Sequence, residues 1–141
     1  YEHYEVSNFA LPGYRAKHNS SYWHGVEYLG IGAGAHSYNG VERHYSEQSV
    51  AEYIAKREYV REKLSESDHF NEYVMTSLRC AEGISLEYLS ERFGESVRDR
   101  VMQIARSWIE AGDLRFEGDR LSIPPERFMI SDAVIESLFE V

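Results

Sequence analysis

Cysteine is almost absent: Cys80 is the only one in 141 residues. A single thiol excludes an intrachain disulfide and any metal site built on several cysteines. It suits a reducing compartment, most simply the cytoplasm. Long apolar runs are missing too. None approaches the ~20 residues that span a bilayer, and no signal peptide opens the chain, so no transmembrane segment is expected. Positive charge is in the minority, with 15 Lys and Arg against 24 Asp and Glu and a formal net charge of −9. That balance opposes contact with phosphate backbones, and with it a nucleic-acid partner. The chain also lacks an initiator Met, and YEHYEVSNFA at its start reads as a strand already in progress. A piece of a longer polypeptide is the expectation.

Histidine, tyrosine and glycine, by contrast, crowd the first third. Residues 1–45 hold five of the six histidines, seven of the eleven tyrosines, six of the ten glycines and Trp23. From about residue 49 the chain turns charged, amphipathic and helix-like, which places a boundary near 46–49. In the first part, residues 1–10 alternate as a strand, with Tyr4, Val6 and Asn8 on one face and Glu5, Ser7 and Phe9 on the other. Pro12-Gly13 makes a turn. AKHNSSYWHG, residues 16–25, has the period of neither a helix nor a strand and reads as a loop bearing His18, Tyr22, Trp23 and His24. VEYLGIGAGAHSY resembles a second short strand running into glycine-rich backbone, and Asn39-Gly40 signals another turn.

In the second part, Ser49-Val50-Ala51-Glu52 is a capping box. The helix it opens is expected to run to about Ser65, with Tyr53, Ile54, Val60 and Leu64 as a sparse apolar face. Asp68 caps a further helix carrying Tyr73, Val74 and Leu78 and ending at Gly83. Ser85 starts a short helix stopped by Gly94. The strongest pattern covers 96–111, with Val97, Val101, Ile104, Ala105, Trp108 and Ile109 on one stripe and Gly112 as its stop. LRFEGDRLSI then forms a hairpin, Pro124-Pro125 breaks it, and Ser131 caps a last helix. Helices with a β-hairpin suggest a winged-helix-like unit, and such units often bind DNA. Here Arg98, Arg100 and Arg106 are interleaved with Glu95, Asp99 and Glu110, so no basic stripe emerges and a docking role is the plainer reading.

Several constellations test weaker ideas. GIGAGA at 30–35 satisfies a dinucleotide-binding pattern in letters, but His-Ser-Tyr-Asn-Gly follows where a phosphate-binding helix must begin. The glycines instead allow close approach of another backbone or of a flat ligand. The histidine spacings fit no standard zinc site. On spacing alone, chance clustering of surface histidines is the plainer reading. A haem is the other, since one imidazole can hold the iron while aromatic rings pack on the macrocycle. HNSSYW supplies both kinds of group, the alternative being a merely structured loop. Ser7, Ser37 and His36 lack a nucleophile elbow around them. Cys80, on a predicted helix beside Leu78, reads as a buried structural thiol.

YEVSNFALPGY, KHNSSYW, YLGIGAGAHSY and SLRCAEGISLEYLSERFG, in that order, resemble the C-terminal portion of the HemW-type haem chaperones. These are radical-SAM proteins related to the oxygen-independent coproporphyrinogen III oxidases of the HemN type. The resemblance spans essentially the whole chain. It implies that the H-N-x-x-Y-W motif, here His18 to Trp23, handles haem, with His18 as contact or iron ligand and Tyr22 and Trp23 packing beside it. It implies that Gly32, Ala33, Gly34 and His36 face an S-adenosylmethionine site or substrate cavity, and that Ser7 and Asn8 lie near a barrel strand end. The fold implied is α+β: the C-terminal strands of a partial (β/α) barrel over 1–48, a connecting helix over 49–67, and a mostly helical, winged-helix-like HemN-type domain with a β-hairpin over 68–141.

One departure is large. Radical-SAM chemistry needs a C-x-x-x-C-x-x-C triad to hold a [4Fe–4S] cluster, and a lone cysteine cannot provide it. The chain alone is therefore expected to lack that activity, with the cluster's ligands upstream in a missing N-terminal barrel of the same polypeptide. Expected partners are haem or porphyrin and client haemoproteins. A coproporphyrinogen III dehydrogenase parent, or a cofactor-free interaction module, are the alternatives.

Overall fold

The computed structural model describes residues 1–23, 25–46, 49–56 and 58–140. The chain begins with a hairpin and not with one strand. Strand β1 (Glu2–Glu5) pairs antiparallel with β2 (Asn8–Ala10), turning at Val6-Ser7. The cause is local: the buried Glu5 carboxylate accepts from Ser7 N at 3.2 Å, from Ser7 Oγ at 3.0 Å and from Asn8 Nδ2. Short polar side chains that bond nearby groups favour a turn over an extended run.

KHNSSYW is a helix, α1 (Lys17–Trp23), where a loop was expected. It buries none of its residues, which is why no apolar period marks it. Ser20 and Ser21 bond back to the carbonyls of Ala16 and Lys17, each at 2.9 Å. His24 lies outside the described residues. The glycine-rich segment after it is bent loop, not strand. Tyr28 and Tyr38 exchange backbone hydrogen bonds of 3.0 and 2.9 Å, and a Cβ on Gly30 would fall 2.0 Å from the His36 carbonyl oxygen. Gly30 therefore marks a close backbone crossing, one of the two readings its sequence allowed.

Strands β3 (His36–Tyr38), β4 (Glu42–Ser46) and β5 (Tyr59–Lys63) form an antiparallel sheet in that order. Asn39 closes the β3–β4 turn, its Oδ1 accepting from Val41 N and Glu42 N. Between β4 and β5 lies α2 (Val50–Lys56), where Ser49 Oγ accepts from Glu52 N. The expected single helix from 49 to about 65 is thus corrected to a short helix and a strand. Tyr59 and Val60 sit opposite Ser46 and Tyr45 of β4, and aromatic and β-branched residues suit such pairing. The sheet carries the N-terminal part on to residue 63. All strand pairings among the described residues are antiparallel.

The remainder forms one core. Helix α3 (Glu66–Leu78) is capped by Ser65, which exchanges bonds with Asp68 at the third helical position; Asp68 is therefore the partner of the cap and not the cap. The helix ends at Leu78, before Gly83. That glycine instead lies in the next turn with φ 67°, where a Cβ would meet the Leu121 carbonyl oxygen at 2.2 Å. Then follow β6 (Ile84–Ser85), α4 (Leu86–Phe93), capped by Ser85 Oγ, and α5 (Glu95–Ala111), closed by a left-handed Gly112. Strands β7 (Arg115–Glu117) and β8 (Arg120–Ser122) make the expected hairpin, and the sheet order is β6-β8-β7. A 3-10 helix (Pro125–Ile130) leads to α6 (Ser131–Leu138), which Ser131 begins without a side-chain cap bond. The helices pack on Val74, Leu78, Leu89, Val101, Leu121 and Val134, each fully buried.

Large exposed apolar side chains gather in the first part, as at Leu29, Ile31 and Ile54. Among the described residues no helix is long and apolar enough to cross a membrane. Leu89→Ala should lower unfolding free energy by about 2–5 kcal/mol. Ile54→Ala, 67% exposed, should change it by less than ~0.5 kcal/mol. Equilibrium denaturation of the two variants checks both.

Candidate functional site

The N-terminal hairpin docks on the end of α3 by main chain. Val6 N donates to Arg79 O and Ala81 N donates to Tyr4 O, each at 3.0 Å, with Glu5 and Cys80 as bridge partners. Arg15 extends this junction, ion-paired with Glu2 and Glu82 and 5.3 Å from the Tyr4 ring centroid. Further along, Arg43 of β4 pairs with Glu72 of α3. The junction leaves a cavity of about 740 Å³ between α1, the β3–β4 region and the face of α3, α4 and β8. That is the size range of small-molecule and cofactor sites.

Aromatic rings stand on both sides of its lining, among polar and charged side chains. Tyr22, Trp23, Tyr28 and Tyr38 come from the N-terminal part, Tyr73, Tyr88 and Phe93 from α3 and α4. Tyr22 meets Tyr28 edge-on at 5.0 Å, and Tyr73 lies 4.8 Å from Tyr88. Tyr73 Oη donates to Ser85 O at 3.3 Å and accepts from Ser85 N at 3.0 Å. Burial raises the phenol pKa of Tyr73, and burial followed by the Glu72 charge raises that of Tyr38, so both remain neutral hydrogen-bonding groups. Trp23 Nε1 is buried with no hydrogen-bond partner among the described residues. Arg43, Arg92 and Arg120 also belong to the lining.

The residues singled out in the sequence fall in three places. Tyr22 and Trp23 line the cavity. His18 does not; it is exposed, one helical turn away, with Nε2 3.2 Å from Tyr22 Oη and its ring edge-on to Tyr22. Gly32, Ala33, Gly34 and His36 also lie outside the lining. Ser46 Oγ donates to Gly32 O at 2.6 Å, and His36 stacks on Tyr45 at 5.3 Å. Ser7 and Asn8 occupy the hairpin turn, bonded to Glu5. The structure thus does not bring the haem and S-adenosylmethionine candidates together.

Cys80 lines the cavity wall but is buried, and burial first, then Glu82 and Glu5, pushes its thiol up to about 12. A thiol held protonated does not fit an iron–sulfur ligand. Among the described residues no group of three or more His, Cys, Asp or Glu could hold a metal ion. Sequence reasoning missed Arg43, Arg92, Arg120 and Tyr88 as site residues. They come from separate elements and share no local pattern, so nothing in the sequence marked them together.

Comparison with known proteins agrees with this architecture. The family described as HemN C-terminal domain matches residues 64–129. The heme chaperone HemW of Mycobacterium tuberculosis is 33% identical over 96% of this chain and 34% of its own length. That of Lactococcus lactis is 38% identical over 66% of this chain and 26% of its own. The chain spans about a third or less of these relatives. The solved coproporphyrinogen III oxidase (HemN) of Escherichia coli, a radical SAM enzyme, shares the fold at a TM-score of 0.61 and 12% identity. That match covers 81% of this chain and 28% of the solved one. The second part is thus a domain of the HemN C-terminal type. Over its whole length the chain is similar to the C-terminal portion of the HemW relatives.

Two outcomes follow from Cys80. Native protein at pH 8 should react with iodoacetamide far more slowly than denatured protein, because the thiolate is the nucleophile. Stability should also fall as pH rises from about 9, the thiol's ordinary value, towards 12. In that window the unfolded chain releases the proton while the folded chain keeps it, so the unfolded state binds fewer protons. Mass spectrometry of alkylation and denaturation curves across that range check the pair; the Cys80→Ala variant should lose this part of the pH dependence.

Proposed function

We propose that this chain is the C-terminal portion of a HemW-like haem chaperone, a protein that binds haem and passes it to client haemoproteins. One observation carries the reading: α1, made of KHNSSYW, delivers Tyr22 and Trp23 to the wall of an aromatic cavity while His18 stands one turn away. Two ring side chains suit packing against a flat macrocycle. The imidazole beside them suits iron. The HemW relatives named above support the same class of cargo.

In a longer polypeptide, residues 1–48 would contribute the last strands of a partial barrel. Gly32, Ala33, Gly34 and His36, with Ser7 and Asn8, would serve its S-adenosylmethionine or substrate side. A [4Fe–4S] cluster would take its ligands from elsewhere in that polypeptide, since Cys80 does not fit the task. The C-terminal domain is read as a winged-helix-like docking unit beside the cavity. The likeness to the HemN fold favours a second reading, a segment of a coproporphyrinogen III dehydrogenase. Turnover of coproporphyrinogen by the complete, anaerobically reconstituted protein separates the two.

Titrating the chain with haem should give a saturable shift of the Soret band. His18→Ala should weaken binding roughly tenfold or move the band, as expected when an axial ligand is lost. An unchanged spectrum and affinity removes His18 from the site.

A further inference from the structure

The chain carries a net charge of −9, yet three arginines line its cavity. Two are committed to carboxylates. Arg43 is paired with Glu72, and Arg92 grips Glu66 with two bonds of 2.7 and 3.3 Å. Of the two acids that line the cavity, Glu72 is taken by Arg43 and Glu82 by Arg15. Arg120 differs. Its side chain makes no hydrogen bond or ion pair with any described residue, although it opens β8 on a backbone fixed by pairing with Ser85 and Glu117. The neighbouring Asp119 carboxylate accepts from Ser85 Oγ at 2.7 Å and from Glu87 N at 2.8 Å, and feels the Arg120 charge without a hydrogen bond or ion pair between them.

Arg120 thus offers an open planar fork at the cavity's exposed rim, on a rigid strand. A guanidinium with free donors is best matched by a carboxylate, which it can bind through two parallel bonds. The aromatic lining supplied by Tyr22, Trp23, Tyr73 and Tyr88 matches a flat ring system. We infer that the cavity takes a flat aromatic ligand bearing a carboxylate, and that Arg120 receives that carboxylate. The choice of a tetrapyrrole as this ligand rests on the haem reading above; its carboxylates are then the propionates.

The test uses metal-free protoporphyrin IX and its dimethyl ester, so that no iron–imidazole bond contributes. Fluorescence titration of the chain should show the free diacid binding about tenfold more tightly than the diester, the scale of one charge-assisted clamp. Arg120→Gln should bring the two affinities close together by weakening the diacid alone, and Arg120→Lys should restore part of the difference. His18→Ala should leave the ratio intact. Equal affinities for diacid and diester in the unaltered chain, a preserved ratio in Arg120→Gln, or no porphyrin binding at all each overturn the proposal. An unchanged haem spectrum in His18→Ala, with the porphyrin ratio preserved, removes the iron-ligand role and leaves the clamp standing.

Discussion

Two main-chain hydrogen bonds hold the two chemistries of this chain together. Val6 N to Arg79 O and Ala81 N to Tyr4 O fasten the N-terminal hairpin to the end of α3. The bonds depend on Glu5, a buried carboxylate whose oxygens are met by Ser7 and Asn8. An unpaired charge at that depth would be costly. With its donors in place, the same carboxylate folds the hairpin and sets the strand that docks. Everything the cavity contains follows from this junction, because its aromatic lining comes from both sides of it.

The junction also explains how an acidic chain presents basic groups inwardly. Glu72 and Glu82 line the cavity, but their charges are spent on Arg43 and Arg15, the residues that brace the N-terminal part against the domain. The pairs join the two parts and leave the cavity neither strongly acidic nor fully neutralised. Tyr38 and Tyr73 remain protonated because burial opposes their ionisation, so these phenols add no charge to a lining that mixes aromatic rings with polar and charged side chains. Such a surface suits a large flat cargo with few charges at its edge.

Elements with local signals were legible in the sequence. Ser85, Gly94 and Gly112 mark helix ends, and the stripe from Val97 to Ile109 fits a long helix against a core. The elements that escaped depend on partners far along the chain. Tyr53, Ile54, Val60 and Leu64 have helical spacing, yet Tyr59 and Val60 are held as strand by β4. KHNSSYW forms a helix with no buried face, so no periodicity could reveal it. The motif within it still pointed to Tyr22 and Trp23, which do line the cavity. Arg92 and Arg120 carried no such mark, since only the fold brings them to the same wall.

Amide hydrogen exchange at Val6 and Ala81, followed residue by residue by NMR, tests the junction most directly. A docked hairpin predicts that both amides are protected together, well beyond the exposed α1, because each donates to a carbonyl across the interface. Exchange of Val6 and Ala81 at the rate of an open loop, while the amides of α5 stay protected, would contradict it. The N-terminal part would then be separate from the domain, and the cavity would not exist as one site.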